Sequence, residues 1–228
     1  MQDLIGHYWI FRRTRKAVNY LFHLYLSGDD PDILTGNFMG DFVKGPLGDS
    51  YPPPLRRGIV LHRRIDSFAQ NQPHFTRSRL RLGKEFGLYR GILVDLFYDH
   101  FLATSWQELS KEPLNLYLHR VRRIIEARRR FLPERLREIV PIVFEEMIPS
   151  YLEPHGVGSA LTRMSRRVKR ANPLAGGGVE LTRHYEALRG DFLDFLPEVR
   201  DFAARVIAAD ARIAGSPPPL TGGGGGGG

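Results

Sequence analysis

Residues 91–102 have the sequence Gly-Ile-Leu-Val-Asp-Leu-Phe-Tyr-Asp-His-Phe-Leu. Their apolar side chains recur at helical spacing and do not alternate as they would in a half-buried strand. In a helix, Asp95 and Asp99 lie one turn apart on a face whose other residues are apolar, namely Leu88, Ile92, Leu102 and Trp106. An unpaired carboxylate is costly to bury, so this stretch predicts a core helix whose acidic groups meet a counter-charge.

The rest of the chain shows the same helical periodicity. Helices are expected at about 16–26, 30–44, 53–69, 75–82, 86–106, 113–131, 134–151, 156–170 and 179–208. Pro52–Pro54, Pro113 and Pro133 suit the first turn of a helix, whereas Pro149 and Pro154 are expected to interrupt the chain between helices. The predicted fold is therefore all-α, an irregular helical bundle.

Length and composition limit the classes of protein to consider. The 228 residues suit one domain, followed by a Pro/Gly-rich tail at 211–228 that is expected to be disordered. The absence of cysteine excludes disulfides, thiolate metal sites and a thiol nucleophile. No run of apolar residues is long enough to span a membrane, and Arg12, Arg13, Arg15 and Lys16 interrupt the N-terminal segment. We expect neither a signal peptide nor a membrane anchor, and a cytoplasmic location.

The net charge of +8 is concentrated in two windows. Residues 120–137 carry eight arginines against Glu126 and Glu134, and residues 163–170 carry five basic residues and no acid. A basic module that binds nucleic acid is one explanation, and its affinity would fall steeply with salt. However, the windows contain no nucleic-acid motif and little aromatic interleaving, so nucleic acid is not the expected partner.

Polar pairs at four-residue spacing recur on three further segments: Asn19 with His23, Asn37 with Asp41, and His62 with Asp66. Together with Asp95 and Asp99 they could converge in a bundle core as a His/Asp cage for a divalent cation. Such ligands suit Mn²⁺ or Mg²⁺ best, with Fe²⁺ and Zn²⁺ as alternatives. A cation held in this way activates water and polarises a phosphoryl oxygen, which indicates hydrolysis of a phosphate ester.

Each of these residues also has a structural interpretation. Asp66 could pair with Arg63 or Arg64, Asp95 could pair with an arginine of 120–137, and Asp41 could simply end a helix. His23 could be an ordinary core histidine. The histidines that lack such neighbours are expected to be surface or core residues: His7, His74, His119, His155 and His184.

Four ordered motifs resemble those of the acyl carrier protein phosphodiesterase family, a divergent relative of the HD-domain phosphohydrolases. They are residues 19–28, 36–45, 62–66 and 95–102, and the similarity extends weakly to Phe202. The resemblance implies an HD-domain-like helical fold, beginning near Asn19 after an N-terminal extension at 1–18 and ending near residue 210. It also implies a Mn²⁺-dependent hydrolysis that releases 4′-phosphopantetheine from holo-acyl carrier protein to give the apo protein, with Mg²⁺ or Fe²⁺ as alternative metals.

The resemblance also implies roles for individual residues. Asp41 would be essential, as a metal ligand that orients or deprotonates the attacking water, and Arg63 would hold the phosphate. The other implied ligands are His23, His62, Asp66 and Asp99, with Asn37, Asp95 and His100 as additional ligands or as partners that support them. The acidic carrier protein would dock on Arg120–Arg137 or Arg163–Arg170.

Two positions depart from the family pattern. Gln70 stands where the family usually has aspartate, and Gln72 stands where it often has histidine. The loss of a ligand or a proton-transfer group could weaken metal binding or alter the substrate, or His74 could compensate. The departures motivate an alternative prediction, an HD-like phosphohydrolase for a nucleotide or another small phosphodiester.

Overall fold

A computed structural model of the protein describes residues 19–215, with side chains to Arg212, and every regular element in this range is helical. The α-helices are α1 (Tyr20–Tyr25), α2 (Pro31–Met39), α3 (Pro53–Asn71), α4 (Pro73–Arg81), α5 (Arg90–Thr104), α6 (Trp106–Leu109), α7 (Leu114–Ala127), α8 (Glu134–Ile142), α9 (Ile148–Ser150), α10 (Pro154–Arg167), α11 (Gly177–Arg183) and α12 (Tyr185–Gly215). Short 3-10 turns connect them at Gly40–Phe42, Lys84–Tyr89, Arg129–Phe131 and Leu174–Gly176, and Val143–Met147 forms a π-helical turn. The all-α irregular bundle is confirmed.

Helix α5 occupies the centre of the bundle. Leu93, Val94, Phe97 and Phe101 are fully buried, and α1, α4, α10 and α12 pack around the helix. A helix that is apolar on all sides is typical of a core position. The sequence motif at 91–102 therefore lies in a buried core helix, as its composition predicts.

Helices α2 and α3 approach each other more closely than ordinary side chains permit. A Cβ added to Gly36 would lie 2.2 Å from the Leu55 carbonyl oxygen, and a Cβ added to Gly58 would lie 2.2 Å from the Ile33 carbonyl oxygen. Glycine at both positions lets the two backbones touch. This contact places Asn37, on α2, directly against His62, on α3.

Several helix boundaries differ from the expected ones. The expected helix at 86–106 begins only at Arg90, because Gly87 has a positive φ of 46° and interrupts the preceding 3-10 turn. The expected helix at 179–208 is two helices with a break at His184, which no glycine or proline announces. The break positions Tyr185 so that its hydroxyl lies 3.0 Å from Nε2 of His100.

The expected helices at 30–44, 113–131 and 156–170 end earlier, at Met39, Ala127 and Arg167. Two prolines and the C-terminal boundary also differ from the expectation. Pro149 does not interrupt the chain: it lies in the first turn of α9, which follows the π-helical turn directly. Pro154 begins α10. Helix α12 continues to Gly215, so residues 211–215, expected to belong to the tail, are helical. The expected extension at 1–18 and the rest of the expected tail, 216–228, lie outside the described residues. Within the described range, no helix has both the length and the hydrophobicity needed to cross a membrane.

Candidate metal centre

Two histidines and one aspartate meet where α1 packs against α3. The imidazole rings of His23 and His62 stack with their centroids 3.9 Å apart. Asp66 lies one turn beyond His62 on α3, with its carboxylate oxygens 3.3 Å from Nε2 of His23 and 3.6 Å from Nε2 of His62. One ligand atom from each residue lies within 4.8 Å of the others, so a single cation could contact all three.

The side chain and backbone of Asn37 orient both imidazole rings. Its Nδ2 donates to the His23 carbonyl and to Oγ of Ser27, both at 2.9 Å, so its Oδ1 is the acceptor that faces Nδ1 of His23 at 2.9 Å. Nδ1 of His62 donates to the Asn37 carbonyl at 3.0 Å. In its neutral form, each ring thus carries its proton on Nδ1 and directs the Nε2 lone pair toward Asp66, as metal-binding histidines do.

Asp41 completes the cluster from the 3-10 turn after α2. Its Oδ1 lies 3.5 Å from Nε2 of His62, and the residue is only 4% exposed. Gly40 makes this approach possible, because a Cβ there would lie 2.2 Å from Cγ of His62. The close packing of the glycine therefore places a second carboxylate beside the imidazoles.

The electrostatics of the cluster fit a bound cation. Nε2 of His23, Nε2 of His62 and Oδ1 of Asp41 are buried and have no hydrogen-bond partner among the described residues. Burial, and after it the neighbouring His62, lowers the pKa of His23. Protonation of His23 is therefore a poor way to balance the negative charge of the carboxylates, and a metal ion would serve that purpose. Imidazole nitrogens and carboxylate oxygens that face one another without donors form a suitable donor set for a divalent transition metal such as Mn²⁺.

Asp99 does not belong to this cluster, contrary to its implied role as a ligand. It is fully buried on α5, and its two oxygens accept hydrogen bonds from the backbone N–H groups of Leu21 at 3.2 Å and Phe22 at 2.8 Å. These are unsatisfied donors of the first turn of α1, so Asp99 caps that helix from a distant part of the chain. Burial raises the pKa of Asp99 to about 8.

His100 and Arg63 also have structural partners in place of the implied ones. Nδ1 of His100 donates to the Tyr151 carbonyl at 2.6 Å, and its Nε2 lies against the hydroxyl of Tyr185. Nη2 of Arg63 donates to the carbonyls of Val43 and Gly45, at 3.1 and 2.8 Å, and so fixes the loop after Asp41. Both side chains are therefore held outside the cluster by hydrogen bonds to backbone carbonyls.

A cleft of about 400 Å³ adjoins the cluster at Asp66. Asp95, expected to support the metal ligands, lies on its wall, as does Gln70, which stands where the family resemblance led us to expect aspartate. His74 cannot compensate for that change because its ring faces α12, 3.7 Å from Asp194 and 3.5 Å from Glu198.

Two residues of this region, Ser27 and Arg79, were not predicted from the sequence. Ser27 is buried and accepts from the side chain of Asn37, and Arg79 lines the cleft. The serine carries no sequence signal that separates it from other helix-end serines. Arg79 lies midway between Arg77 and Arg81, a spacing that places it on another side of α4 from those two arginines.

The fold and the cluster thus define a helical protein with a His/Asp site suited to a metal. The family model of acyl carrier protein phosphodiesterase matches residues 18–199, and the chain belongs to this family. Relatives named acyl carrier protein phosphodiesterase include one from Serratia proteamaculans, 30% identical over 80% of this chain and 95% of its own length. Others come from Escherichia coli (30% identical, 82% of this chain and 98% of its own) and Pectobacterium atrosepticum (31% identical, 82% and 97%). No solved structure matches the chain.

Proposed function

We propose that this protein is a metal-dependent phosphodiesterase that removes 4′-phosphopantetheine from holo-acyl carrier protein. The observation that carries the proposal is the set of buried, unpartnered acceptor atoms on His23, His62 and Asp41, which face one another beside Asp66. Family membership supports the substrate, since the relatives are named for a phosphodiesterase of acyl carrier protein. The proposed location is the cytoplasm.

His23, His62, Asp66 and Asp41 are the proposed ligands, and Mn²⁺ is the proposed metal, with Mg²⁺ and Fe²⁺ as alternatives. Two imidazoles and two carboxylates suit Mn²⁺ or Fe²⁺ better than Mg²⁺, which prefers oxygen ligands alone. When bound, such a metal polarises a phosphoryl oxygen and lowers the pKa of a water molecule.

The residues of this chain hold the reacting groups in place. Asp41 is buried beside His62 and is proposed to orient the attacking water and to accept its proton. The water oxygen bonds to phosphorus, and the bond from phosphorus to the serine oxygen of the carrier protein breaks. The serine oxygen takes up a proton, and the phosphate leaves with the pantetheine. The cleft beside Asp66 is the proposed entry for this group.

The proposed docking surface for the acidic carrier protein is Arg163–Arg170. Four arginines of the other window, Arg120–Arg137, already form ion pairs, with Glu112, Glu145, Asp32 and Glu126. Arg163 and Arg166 instead line an open groove between α10 and α11.

Mass spectrometry of holo-acyl carrier protein incubated with the protein and Mn²⁺ tests the proposal. We expect loss of the 4′-phosphopantetheine mass, no loss after chelation of the metal, and recovery when Mn²⁺ is restored. Asp41→Asn should lower the rate by at least about 100-fold, the lower range for loss of an acid–base group.

Asp99→Asn is the matched control because Asp99 is an equally buried aspartate that caps α1 and lies outside the cluster. This variant should hydrolyse the substrate at close to the normal rate at a temperature where it is folded. The proposal fails if the wild-type protein leaves holo-acyl carrier protein intact, and a nucleotide substrate tested in parallel would then identify the alternative activity. Normal turnover by Asp41→Asn would remove Asp41 from the mechanism.

A further inference from the structure

Arg79 provides the positive charge of the cleft beside Asp66. Among the described residues that line this cleft, it is the one cationic side chain, and the acidic groups there are Asp66 and Asp95. Its Nε atom is buried and has no hydrogen-bond partner among the described residues. A guanidinium nitrogen that has left water without gaining an acceptor is costly, so an anionic ligand would stabilise it.

The other arginines of α4 have a different, structural use. Arg77 and Arg81 both bind Asp191 of α12, with closest distances of 2.5 and 2.7 Å, and Asp191 is 1% exposed. Arg79 lies two residues from each and therefore about 200° around the helix, on the side that faces the cleft. Helix α4 thus separates two arginines that join it to α12 from one that lines the cleft.

We propose that Arg79 binds a non-bridging oxygen of the substrate phosphate. This inference rests on the proposed function and assigns to Arg79 the role that the family resemblance implies for Arg63, whose Nη2 instead donates to the Val43 and Gly45 carbonyls. A phosphodiester carries one negative charge, and the cleft through which it must pass is lined by the carboxylates of Asp66 and Asp95. A planar guanidinium at the wall of the cleft offsets that repulsion and fixes the phosphate by paired hydrogen bonds.

Calorimetric titration with two ligands isolates the phosphate contact. 4′-Phosphopantetheine contains the phosphate, whereas pantetheine has the same arm without it. The wild-type protein should bind 4′-phosphopantetheine more tightly, and Arg79→Ala should weaken that binding by about 10- to 100-fold, the range for a lost hydrogen bond to a charged group. Binding of pantetheine should change little. Arg79→Lys should be intermediate because it keeps the charge but loses the planar fork.

Arg64→Ala is the matched control because it removes an equal charge from the exposed side of α3, outside the cleft. It should leave the affinity for both ligands unchanged. Bound Mn²⁺ and the unfolding midpoint, measured for each variant, should match those of the wild-type protein, which excludes general damage to the site.

Failure of this inference and failure of the proposed function give different results. Equal binding of 4′-phosphopantetheine by Arg79→Ala and wild type, or no preference of the wild type for the phosphorylated ligand, overturns the role of Arg79 even if the enzyme is active. If holo-acyl carrier protein is not hydrolysed but Arg79 still governs binding of 4′-phosphopantetheine, the proposed reaction fails and the phosphate site is supported.

Discussion

Asn37 shows how much of the candidate site depends on one side chain. Its amide oxygen orients His23, its amide nitrogen is held by the His23 carbonyl and Ser27, and its backbone carbonyl orients His62. The tautomers of both rings therefore follow from the position of one residue. A metal-binding histidine requires such a partner to present its second nitrogen as a lone pair.

Asn37→Ala should lower the affinity for Mn²⁺ by about 10- to 100-fold, since the partners of ligating histidines contribute this much in metal sites. Calorimetric titration with Mn²⁺ measures the effect on protein that circular dichroism shows to be folded. Asn172→Ala is the control, because Asn172 also donates to backbone carbonyls but lies outside the cluster. Unchanged Mn²⁺ affinity in Asn37→Ala would contradict the assigned tautomers.

At the scale of the elements, the contact between α2 and α3 sets the geometry of the cluster. Gly36 and Gly58 allow the two backbones to touch, and the Asn37 carbonyl reaches His62 across this contact. The separation of the two helices therefore controls a hydrogen bond inside the site.

Gly58→Ala should destabilise the protein by about 1–3 kcal/mol, because the new methyl group meets the Ile33 carbonyl at 2.2 Å and forces the helices apart. It should also weaken Mn²⁺ binding. Gly190→Ala in α12 is the opposite case, since its Cβ meets nothing within 4 Å, and this variant should gain about 0.5–1 kcal/mol. Urea unfolding measures both effects, and equal behaviour of the two variants would contradict the packing argument.

Asp99 links two other elements and makes their stability depend on pH. Its carboxyl caps α1 from α5, and burial raises its pKa to about 8 from the 3.8 expected in the unfolded chain. Between these two values the folded state holds a proton that the unfolded state releases. The contribution of Asp99 to stability is therefore present at low pH and is lost as the pH rises toward 8.

Asp99→Asn should remove this pH dependence. Relative to the wild type, the variant should gain stability between pH 6 and pH 8, by at most about 1.4 kcal/mol per pH unit. Urea unfolding at pH 6, 7 and 8 measures the difference in free energy of unfolding between the variant and the wild type. The contributions of the other titrating groups are common to both proteins and cancel in this difference. A constant difference across this range would show that Asp99 titrates as an exposed aspartate does.

At the scale of the whole molecule, the two arginine windows contribute differently. The arginines of 120–137 that pair with Glu112, Glu145, Asp32 and Glu126 lose much of their attraction for a partner, whereas Arg163 and Arg166 line an open groove. The net charge of residues 120–137 thus overstates the positive charge that an acidic partner would meet there, because these ion pairs neutralise part of it.

Reversing the charge of Arg163 and Arg166 together, as Arg163→Glu with Arg166→Glu, should raise KM for holo-acyl carrier protein about tenfold at low salt and leave kcat unchanged. The effect should diminish as added salt screens the charges. Arg122→Glu is the control, because Arg122 is already paired with Glu145. A larger effect of Arg122→Glu than of the double variant would move the docking surface to the other window.

Local patterns were sufficient for part of this protein. Apolar periodicity predicted the helical class and the central position of 91–102, and four-residue spacing selected His23, His62, Asp66 and Asp41, which the fold brings together. Glycine at position 87 permits the positive φ found there, but Gly36 and Gly58 lie inside helices, so residue type alone does not mark a break. Nothing at His184 signals one.

The amino-acid sequence by itself therefore determined the helical class, the family and the side chains available for a metal, because periodicity and motif spacing are local properties. Only the tertiary structure decided which of them face one another. Asp95 and Asp99 share a helix and a spacing, yet Asp95 lines the cleft and Asp99 caps α1. Likewise, Arg63 holds a loop and Arg79 lines the cleft. The partner of a buried side chain comes from a distant part of the chain, so it is known only once the helices have packed together.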